Sequence, residues 1–183
     1  EYQAIGRDVT NQMEANESER MHSGFQKLVT EISTNFVSAE IDKIEETIDT
    51  VLTDVGAFFN ADRAYLFRYS KDFSFMSNTN EWCKPGISKQ KELFHHYPTN
   101  SATWWNSKIL SNQYIHIPNT KRMPEESKQE SNEFQKLGLK SLIGLPVSSK
   151  GKIWGFFGFD CVKTPKKWTT DEIEYLKIIA NLI

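Results

Sequence analysis

The sequence has few of the features that mark membrane, secreted or nucleic-acid-binding proteins. It contains no run of about 18 apolar residues, so no transmembrane helix is expected, and no basic start followed by an apolar run, so no signal peptide is expected. Its two cysteines, Cys83 and Cys161, are too few for a disulfide framework and fit a reducing compartment. A formal net charge of -2 argues against a general nucleic-acid binder. We therefore predict a cytoplasmic protein whose function involves neither nucleic-acid nor membrane contact.

Catalytic and metal-binding signatures are also scarce. The sequence has no Ser-His-Asp order, no HExxH, no kinase signature and no phosphate-binding loop, and Gly155-Phe-Phe-Gly158 lacks the GxGxxG spacing. His95, His96 and His116 invite a metal or haem interpretation, but neighbouring loop histidines point in different directions and no second ligand pair follows. We expect no catalytic residue and no metal, and assign no cofactor. A redox or metal sensor that uses Cys83 and the histidines stays open as a third hypothesis.

Apolar residues recur at helical spacing in three segments. Residues 11–38 carry a narrow apolar stripe, residues 40–59 a wider one, and residues 169–183 form a terminal helix that Thr169 or Thr170 can cap. A long helix with a narrow seam is what a two-stranded coiled coil requires, so we predict a homodimer; the alternative is a helix that packs only on its own domain. The predicted dimer and relay residues are Phe25, Leu28, Ile32, Phe36, Ile173 and Leu176.

Between the helical segments, alternating and aromatic-rich runs predict strands. Two hairpins are expected, one on each side of a middle segment that holds short helices over 99–111 and 124–138 and one short strand over 114–118. Hairpins imply antiparallel pairing. We predict an α+β domain with terminal helices on one face of an antiparallel sheet and the middle segment over the other face, covering a pocket. The predicted hairpin strands cover 63–69, 73–82, 139–147 and 153–162.

Several of these segments resemble the GAF family of small-molecule-binding and signalling domains. The similar stretches are 55–65 (VGAFFNADRAY), Glu81-Trp-Cys83 with Gly86-Ile87, 138–147 (GLKSLIGLPV), and 151–160 (GKIWGFFGFD) followed by Trp168-Thr-Thr-Asp-Glu172. The resemblance runs from about residue 25 to the end. It implies a GAF-like fold and a regulatory role without catalysis.

The first residues resemble another family. Ile5-Gly-Arg-Asp-Val-Thr10 is similar to the final strand of a PAS domain and its exit into a linker helix. Together the two resemblances imply the end of a PAS domain over 1–12, a signalling helix over 13–39 and a GAF domain over 40–183. Such arrays precede a histidine kinase or a cyclic-di-GMP enzyme (a diguanylate cyclase or phosphodiesterase), which is the expected output of the parent protein.

The family resemblance leaves the ligand open. Cyclic-nucleotide-binding members carry a signature that is broken here, and bilin-binding members carry a cysteine in the middle helical segment, which here has none. We predict either a sensor of an unknown small molecule or a ligand-free dimerisation and relay module. The predicted ligand-binding residues, for each of which core packing is the alternative, are Tyr65, Phe67, Trp82, Trp104, Trp105, Trp154 and Phe157.

Overall fold

A computed structural model of the chain describes residues 2–183, with side chains for residues 12, 13 and 15–183. The chain separates into two compact units, Glu1–Ser38 and Ala39–Ile183. Among the helices of the described part, none is both long and apolar enough to cross a membrane.

The first unit is a single helix, α1, over Tyr2–Ser38. Residues 5–10, which resemble the final strand of a PAS domain and its exit into a linker helix, continue this helix, and the assignment of a preceding PAS domain stays a prediction. A lone strand cannot satisfy its backbone groups without a neighbour, whereas a helix satisfies them within its own segment. Along α1, three members of the predicted seam, Phe25, Leu28 and Ile32, are buried, and Phe36 is partly buried. The homodimer stays a prediction.

The second unit begins with a short 3-10 turn, Ile41–Lys43, and α2, Ile44–Phe58. Its strands and remaining helices follow in the predicted order: β1 Arg63–Tyr69, β2 Phe75–Cys83, β3 Tyr97–Pro98, α3 Thr103–Leu110, β4 Ile115–Ile117, α4 Lys128–Lys136, β5 Ser141–Ser149, β6 Lys152–Cys161 and α5 Thr170–Leu182. Further 3-10 turns cover Thr99–Ser101, Thr120–Arg122 and Glu125–Ser127.

The six strands form one antiparallel sheet in the order β3-β2-β1-β6-β5-β4. Both predicted hairpins, β1–β2 and β5–β6, are present, and the pairing of β1 with β6 joins them into a continuous sheet. The α2 helix packs on β1 and β2, α5 packs on β5, and α3 contacts β4 and β5. The predicted GAF-like α+β class is confirmed.

The two faces of the sheet hold separate aromatic layers, because successive side chains of a strand point to opposite faces. On the helix-covered face, Phe159 lies 6.3 Å from Phe59, which follows α2, and 5.4 Å from Trp168, which precedes α5. On the other face, Phe156 stacks on Phe67 with 4.6 Å between ring centres. The middle segment covers this second face.

The start of α5 follows its sequence signal. The Thr169 side chain accepts a hydrogen bond from the backbone N–H of Glu172, and the Glu172 carboxylate accepts one from the backbone N–H of Thr169. Glu172 also pairs with Lys166, whose Nζ lies 2.7 Å from both Glu172 Oε1 and the carbonyl oxygen of Phe59. Lys166 thereby ties the beginning of α5 to the end of α2.

Candidate ligand-binding site

A cavity of about 70 Å³ lies between the second face of the sheet and the middle segment. Its floor comes from β1, β2 and β6, and its cover comes from residues 90–105 together with α4 and the residues after it. The covering chain is held along β2, since the backbone N–H of Asn78 donates to the carbonyl oxygen of Phe94 at 3.0 Å. The predicted position of the pocket, under the middle segment, agrees with this geometry.

Aromatic rings form most of the apolar lining. Phe67 lies at the centre of the floor, 5.6 Å from Tyr65 and 5.7 Å from Phe94 between ring centres. Trp105 of α3 meets Phe156 edge to face at 5.4 Å and Phe134 at 5.9 Å, which links the cover to the floor. The seven aromatic residues that line the cavity are Tyr65, Phe67, Phe94, Tyr97, Trp105, Phe134 and Phe156.

Two glycines let these rings lie flat against the sheet. A Cβ atom on Gly158 would lie 2.5 Å from Cε2 of Tyr65, and one on Gly144 would lie 2.5 Å from Cζ2 of Trp105. Nonbonded contacts of a Cβ atom are essentially never this short, so only glycine fits beside either ring without a shift of the ring. Gly158 and Gly144 therefore each accommodate a packed aromatic ring.

One end of the cavity holds a buried charged cluster. Asp160 accepts hydrogen bonds from the Tyr65 hydroxyl at 2.9 Å and from the Arg63 guanidinium at 3.2 Å, and all three residues are buried. Burial raises the pKa of Asp160 to about 6, although the Arg63 charge acts to lower it. Burial and the neighbouring Asp160 carboxylate raise the pKa of Tyr65 well above its ordinary value, so its hydroxyl stays a donor.

Two further carboxylates at the cavity accept hydrogen bonds from the backbone of its cover. Glu81 accepts from the backbone N–H groups of Gln90 and Lys91 at 2.9 to 3.1 Å. Glu130, which is 3% exposed, accepts from the N–H groups of Trp104 and Trp105 at 2.8 and 3.3 Å. The N-terminus of α3 has no cap from its own sequence, and the Glu130 carboxylate takes that place from α4.

Two buried polar atoms at the cavity have no hydrogen-bond partner within the part of the chain whose side chains are described. They are Oδ1 of Asn78, an acceptor, and Nε1 of Trp105, a donor. Asn78 is 2% exposed and Trp105 is 4% exposed. Because buried polar atoms are almost always paired, such atoms at a cavity mark places where a bound molecule or water can complete the hydrogen bonding.

The structure brings together three of the seven residues predicted to bind a ligand. Tyr65, Phe67 and Trp105 line the cavity. Phe157 is fully buried on the helix-covered face, 4.7 Å from Phe159, and Trp82 lies against α2, where a Cβ on Gly56 would meet its ring at 2.4 Å. These two residues point away from the cavity because strand alternation places them on the opposite face.

The other two predicted residues also lie outside the cavity. Trp154 stands beside Arg68, whose guanidinium carbon is 5.5 Å from the ring centre. Trp104 lines an open cleft of about 450 Å³ together with Lys108, His116 and Arg122. The α3 helix turns its two adjacent tryptophans in different directions, so only Trp105 reaches the cavity.

The sequence interpretation missed four of the seven aromatic lining residues and all of the lining carboxylates and amides. Phe94 lies in an irregular segment without periodicity, Tyr97 in the two-residue strand β3, and Phe134 in a short helix. Glu81 and Glu130 gave no local signal, because their partners are backbone groups distant in sequence. The missed lining residues are Met76, Asn78, Glu81, Gln90, Phe94, Tyr97, Ser101, Ala102, Glu130, Glu133, Phe134, Leu137, Leu139, Phe156 and Asp160.

The histidines and cysteines are dispersed. Across the described side chains, no group of three or more His, Cys, Asp or Glu residues could hold a metal ion. His116 accepts a hydrogen bond from the backbone N–H of Trp168 at 3.3 Å, and burial lowers its pKa. Burial also raises the pKa of Cys83 to about 11, which disfavours the reactive thiolate. Neither cysteine lines the cavity.

The two predicted relay residues of α5 are both buried. Ile173 is 7% exposed and Leu176 is 0% exposed, and α5 packs on β5. They therefore belong to the core of the second unit. Their role in passing a signal stays a prediction.

Comparison with protein families matches residues 43–183 to the GAF domain. Among curated proteins, the chain is 28% identical over 189 residues to the methanogenesis regulatory histidine kinase FilI of Methanothrix harundinacea (strain 6Ac). That alignment covers 98% of this chain and 20% of the kinase, so the chain spans about a fifth of its relative.

Solved structures of similar fold include domains of phytochromes. The phycocyanobilin-bound GAF domain of a cyanobacterial phytochrome has a TM-score of 0.69 at 15% identity, and the match covers 88% of this chain and 90% of that one. The chromophore-binding domain of the bacteriophytochrome RpBphP3 from R. palustris has a TM-score of 0.72 at 14% identity, covering 89% and 60%. Identities this low support the shared fold alone.

Proposed function

The chain belongs to the GAF domain family, and from that premise we propose that its second unit is a sensory domain that binds a small ligand and carries no catalytic residue. The observation that carries this proposal is the buried cavity with aromatic walls and two unpartnered polar atoms. Ligand sites in proteins are mostly apolar, with a few polar groups that fix orientation. The cavity has this composition.

The size of the cavity favours a compact ligand. A water molecule needs about 10–15 Å³ of such space, so about 70 Å³ accommodates on the order of five heavy atoms. A bilin, which the similar phytochrome domain binds, is far larger, and neither cysteine is at the cavity for a covalent bond. We therefore expect a small metabolite and not a chromophore.

A route out of the cavity leads to α5. Asp160 lies at the cavity and is followed within two residues by Val162, whose N–H, like that of Lys163, donates to the buried Asp62 carboxylate at 2.8 Å. Lys166 then connects this segment to Glu172 at the start of α5. A ligand that repositions Asp160 would act through these contacts on α5, a packed element of the kind that transmits signals by small shifts. The output is a histidine kinase in this proposal, by similarity to FilI.

The test uses the melting temperature of the purified chain in a small-molecule cell extract, followed by native mass spectrometry. We expect the extract to raise the melting temperature of the wild-type chain, and a bound small molecule to be seen as added mass. Ala102→Leu fills the cavity with a larger side chain and should abolish both effects. Ala57→Leu, an exposed position on α2, is the matched control and should behave as wild type.

Two outcomes would contradict ligand sensing. One is an unchanged melting temperature of the wild-type chain, and the other is an equal rise in the Ala102→Leu variant. A bare dimer in the native spectrum, with no response to the extract, would favour the alternative of a ligand-free dimerisation and relay module, for which the long helix α1 is the supporting observation.

A further inference from the structure

The charges around the cavity are of one sign. Four carboxylate residues line it, Glu81, Glu130, Glu133 and Asp160, and no lysine or arginine does so among the residues whose side chains are described. Asp160 is balanced by Arg63 at 3.2 Å and Glu133 by Lys136 at 2.7 Å. Glu81 and Glu130 have no ion-pair partner within the described chain and are held by backbone N–H groups alone. Two carboxylates at the cavity are therefore stabilised by backbone groups and have no cationic side chain beside them among the described residues.

The aromatic rings at the cavity, like its carboxylates, favour a cation. The face of an aromatic ring is the negative part of its quadrupole and attracts cations within about 6 Å of the ring centre, most strongly where water is excluded. Phe67, Phe94 and Trp105 enclose the cavity from the floor and the cover. An anionic ligand would lie among these rings beside two carboxylates, with no cationic side chain among the described lining residues to bind it.

An unpartnered acceptor completes the site. Oδ1 of Asn78 is buried at the cavity without a hydrogen-bond partner, and the amide N–H₂ of the same side chain faces Glu81 at 3.4 Å, which fixes the orientation of the amide. This oxygen can accept from an N–H donor and cannot serve a carboxylate or phosphate.

We propose, on the basis of the ligand-sensing function above, that the cavity binds a small organic cation, an alkylammonium of about five heavy atoms. Its alkyl part would lie against the aromatic rings. Its ammonium group would donate to Asn78 Oδ1 on the side of Glu81.

The experiment compares three probes of equal size and different charge by isothermal titration calorimetry at neutral pH. They are tert-butylammonium, tert-butanol and propionate, which are a cation, a neutral molecule and an anion of five heavy atoms each. We expect tert-butylammonium to bind at least about tenfold more tightly than tert-butanol, since one desolvated cation–π contact contributes that much, and propionate not to bind. Binding should disappear in Ala102→Leu.

Variants separate the charge from the shape of the site. Glu81→Gln keeps an oxygen for the backbone N–H groups but removes the charge, and it should weaken tert-butylammonium about tenfold without weakening tert-butanol. Glu174→Gln, a matched change on the exposed face of α5, should change neither.

The wild-type chain alone can overturn the proposal. Equal or tighter binding of tert-butanol or propionate would do so, and so would the absence of tert-butylammonium binding. If the extract still raises the melting temperature in an Ala102-dependent manner, ligand sensing stands and only the cationic class is wrong. If neither the extract nor any probe has an effect, both fail.

Discussion

Substitution of Gly158 by alanine tests whether the hydrogen bond between Tyr65 and Asp160 depends on the space that Gly158 leaves beside the Tyr65 ring. The new Cβ would lie 2.5 and 2.8 Å from Tyr65 ring atoms and 2.9 Å from the carbonyl oxygen of Ile143. The carbonyl belongs to the neighbouring strand and cannot give way, so the ring must move by about 1 Å to reach ordinary contact. That movement would break the 2.9 Å hydrogen bond from the Tyr65 hydroxyl to Asp160.

The expected cost follows from these two effects. Overpacking in a core costs about 1–3 kcal/mol, and loss of a hydrogen bond to a charged group costs about 1.5–3 kcal/mol. We therefore expect Gly158→Ala to lower the free energy of unfolding by about 3–5 kcal/mol, measured by urea titration of tryptophan fluorescence. Gly151→Ala, where nothing lies within 4 Å but φ is +75°, is the control and should cost about 1 kcal/mol.

A double-mutant cycle decides whether Tyr65 is the cause. In a Tyr65→Leu background the ring and its hydrogen bond are absent and only the contact with the Ile143 carbonyl oxygen remains, so Gly158→Ala should cost about 1.5–3 kcal/mol less than in the wild-type chain. An equal cost of Gly158→Ala in both backgrounds would refute the reasoning, as would a cost below about 1 kcal/mol in the wild-type chain.

Three further outcomes follow from buried polar contacts. Glu130→Ala leaves two backbone N–H groups of α3 without an acceptor and should lower the free energy of unfolding by about 2–4 kcal/mol in urea titrations. Glu130→Gln keeps an acceptor and should cost less, and equal costs of the two variants would contradict this. Lys166→Met removes the contacts to Glu172 and Phe59 and should cost about 2 kcal/mol in the same assay, with no cost as the contrary result. Burial raises the pKa of Asp160 from 3.8 to about 6, so the folded chain binds a proton at Asp160 more tightly than the unfolded chain does. The stability gained from this protonation is fully present below pH 3.8 and is lost as the pH rises to about 6. The loss amounts to about 3 kcal/mol, and Asp160→Asn should remove this slope from urea midpoints measured between pH 4 and 6.5; an identical slope in the variant would contradict the assignment.

Local signals explain why most elements could be predicted. Turn residues placed both hairpins, and the Thr169–Glu172 capping box marked the start of α5, because each of these signals lies within a few residues of sequence. The resemblance of residues 5–10 to the end of a PAS domain did not indicate their helical state, because a short extended segment is defined by its partner strand, and pairing is not a local property.

The orientation of side chains was less predictable than the strands that carry them. The run Gly155-Phe-Phe-Gly158 places aromatic rings on both faces of β6, and its sequence does not say which ring faces the cavity. The structure assigns Phe156 to the cavity and Phe157 to the helices. In β2, a register shift opposite Leu66 and Phe67 changes the alternation, so that Asn78 and Glu81 both reach the cavity while Asn80 faces α2.

The size of the cavity also limits how strongly a ligand can act. The best small ligands gain about 1.5 kcal/mol per heavy atom, so five atoms give at most about 8 kcal/mol, equivalent to a dissociation constant of about 1 µM. To shift a two-state element from about 1:99 to 99:1, a ligand must bind one state about 5.5 kcal/mol more tightly than the other. For complete switching, most of the binding free energy of a ligand in this cavity would therefore have to be absent in the other state. The ligand would have to lose most of its contacts there. Because Asp160 and Tyr65 lie on the cavity wall and in the core at once, a movement of these two residues can provide such a difference.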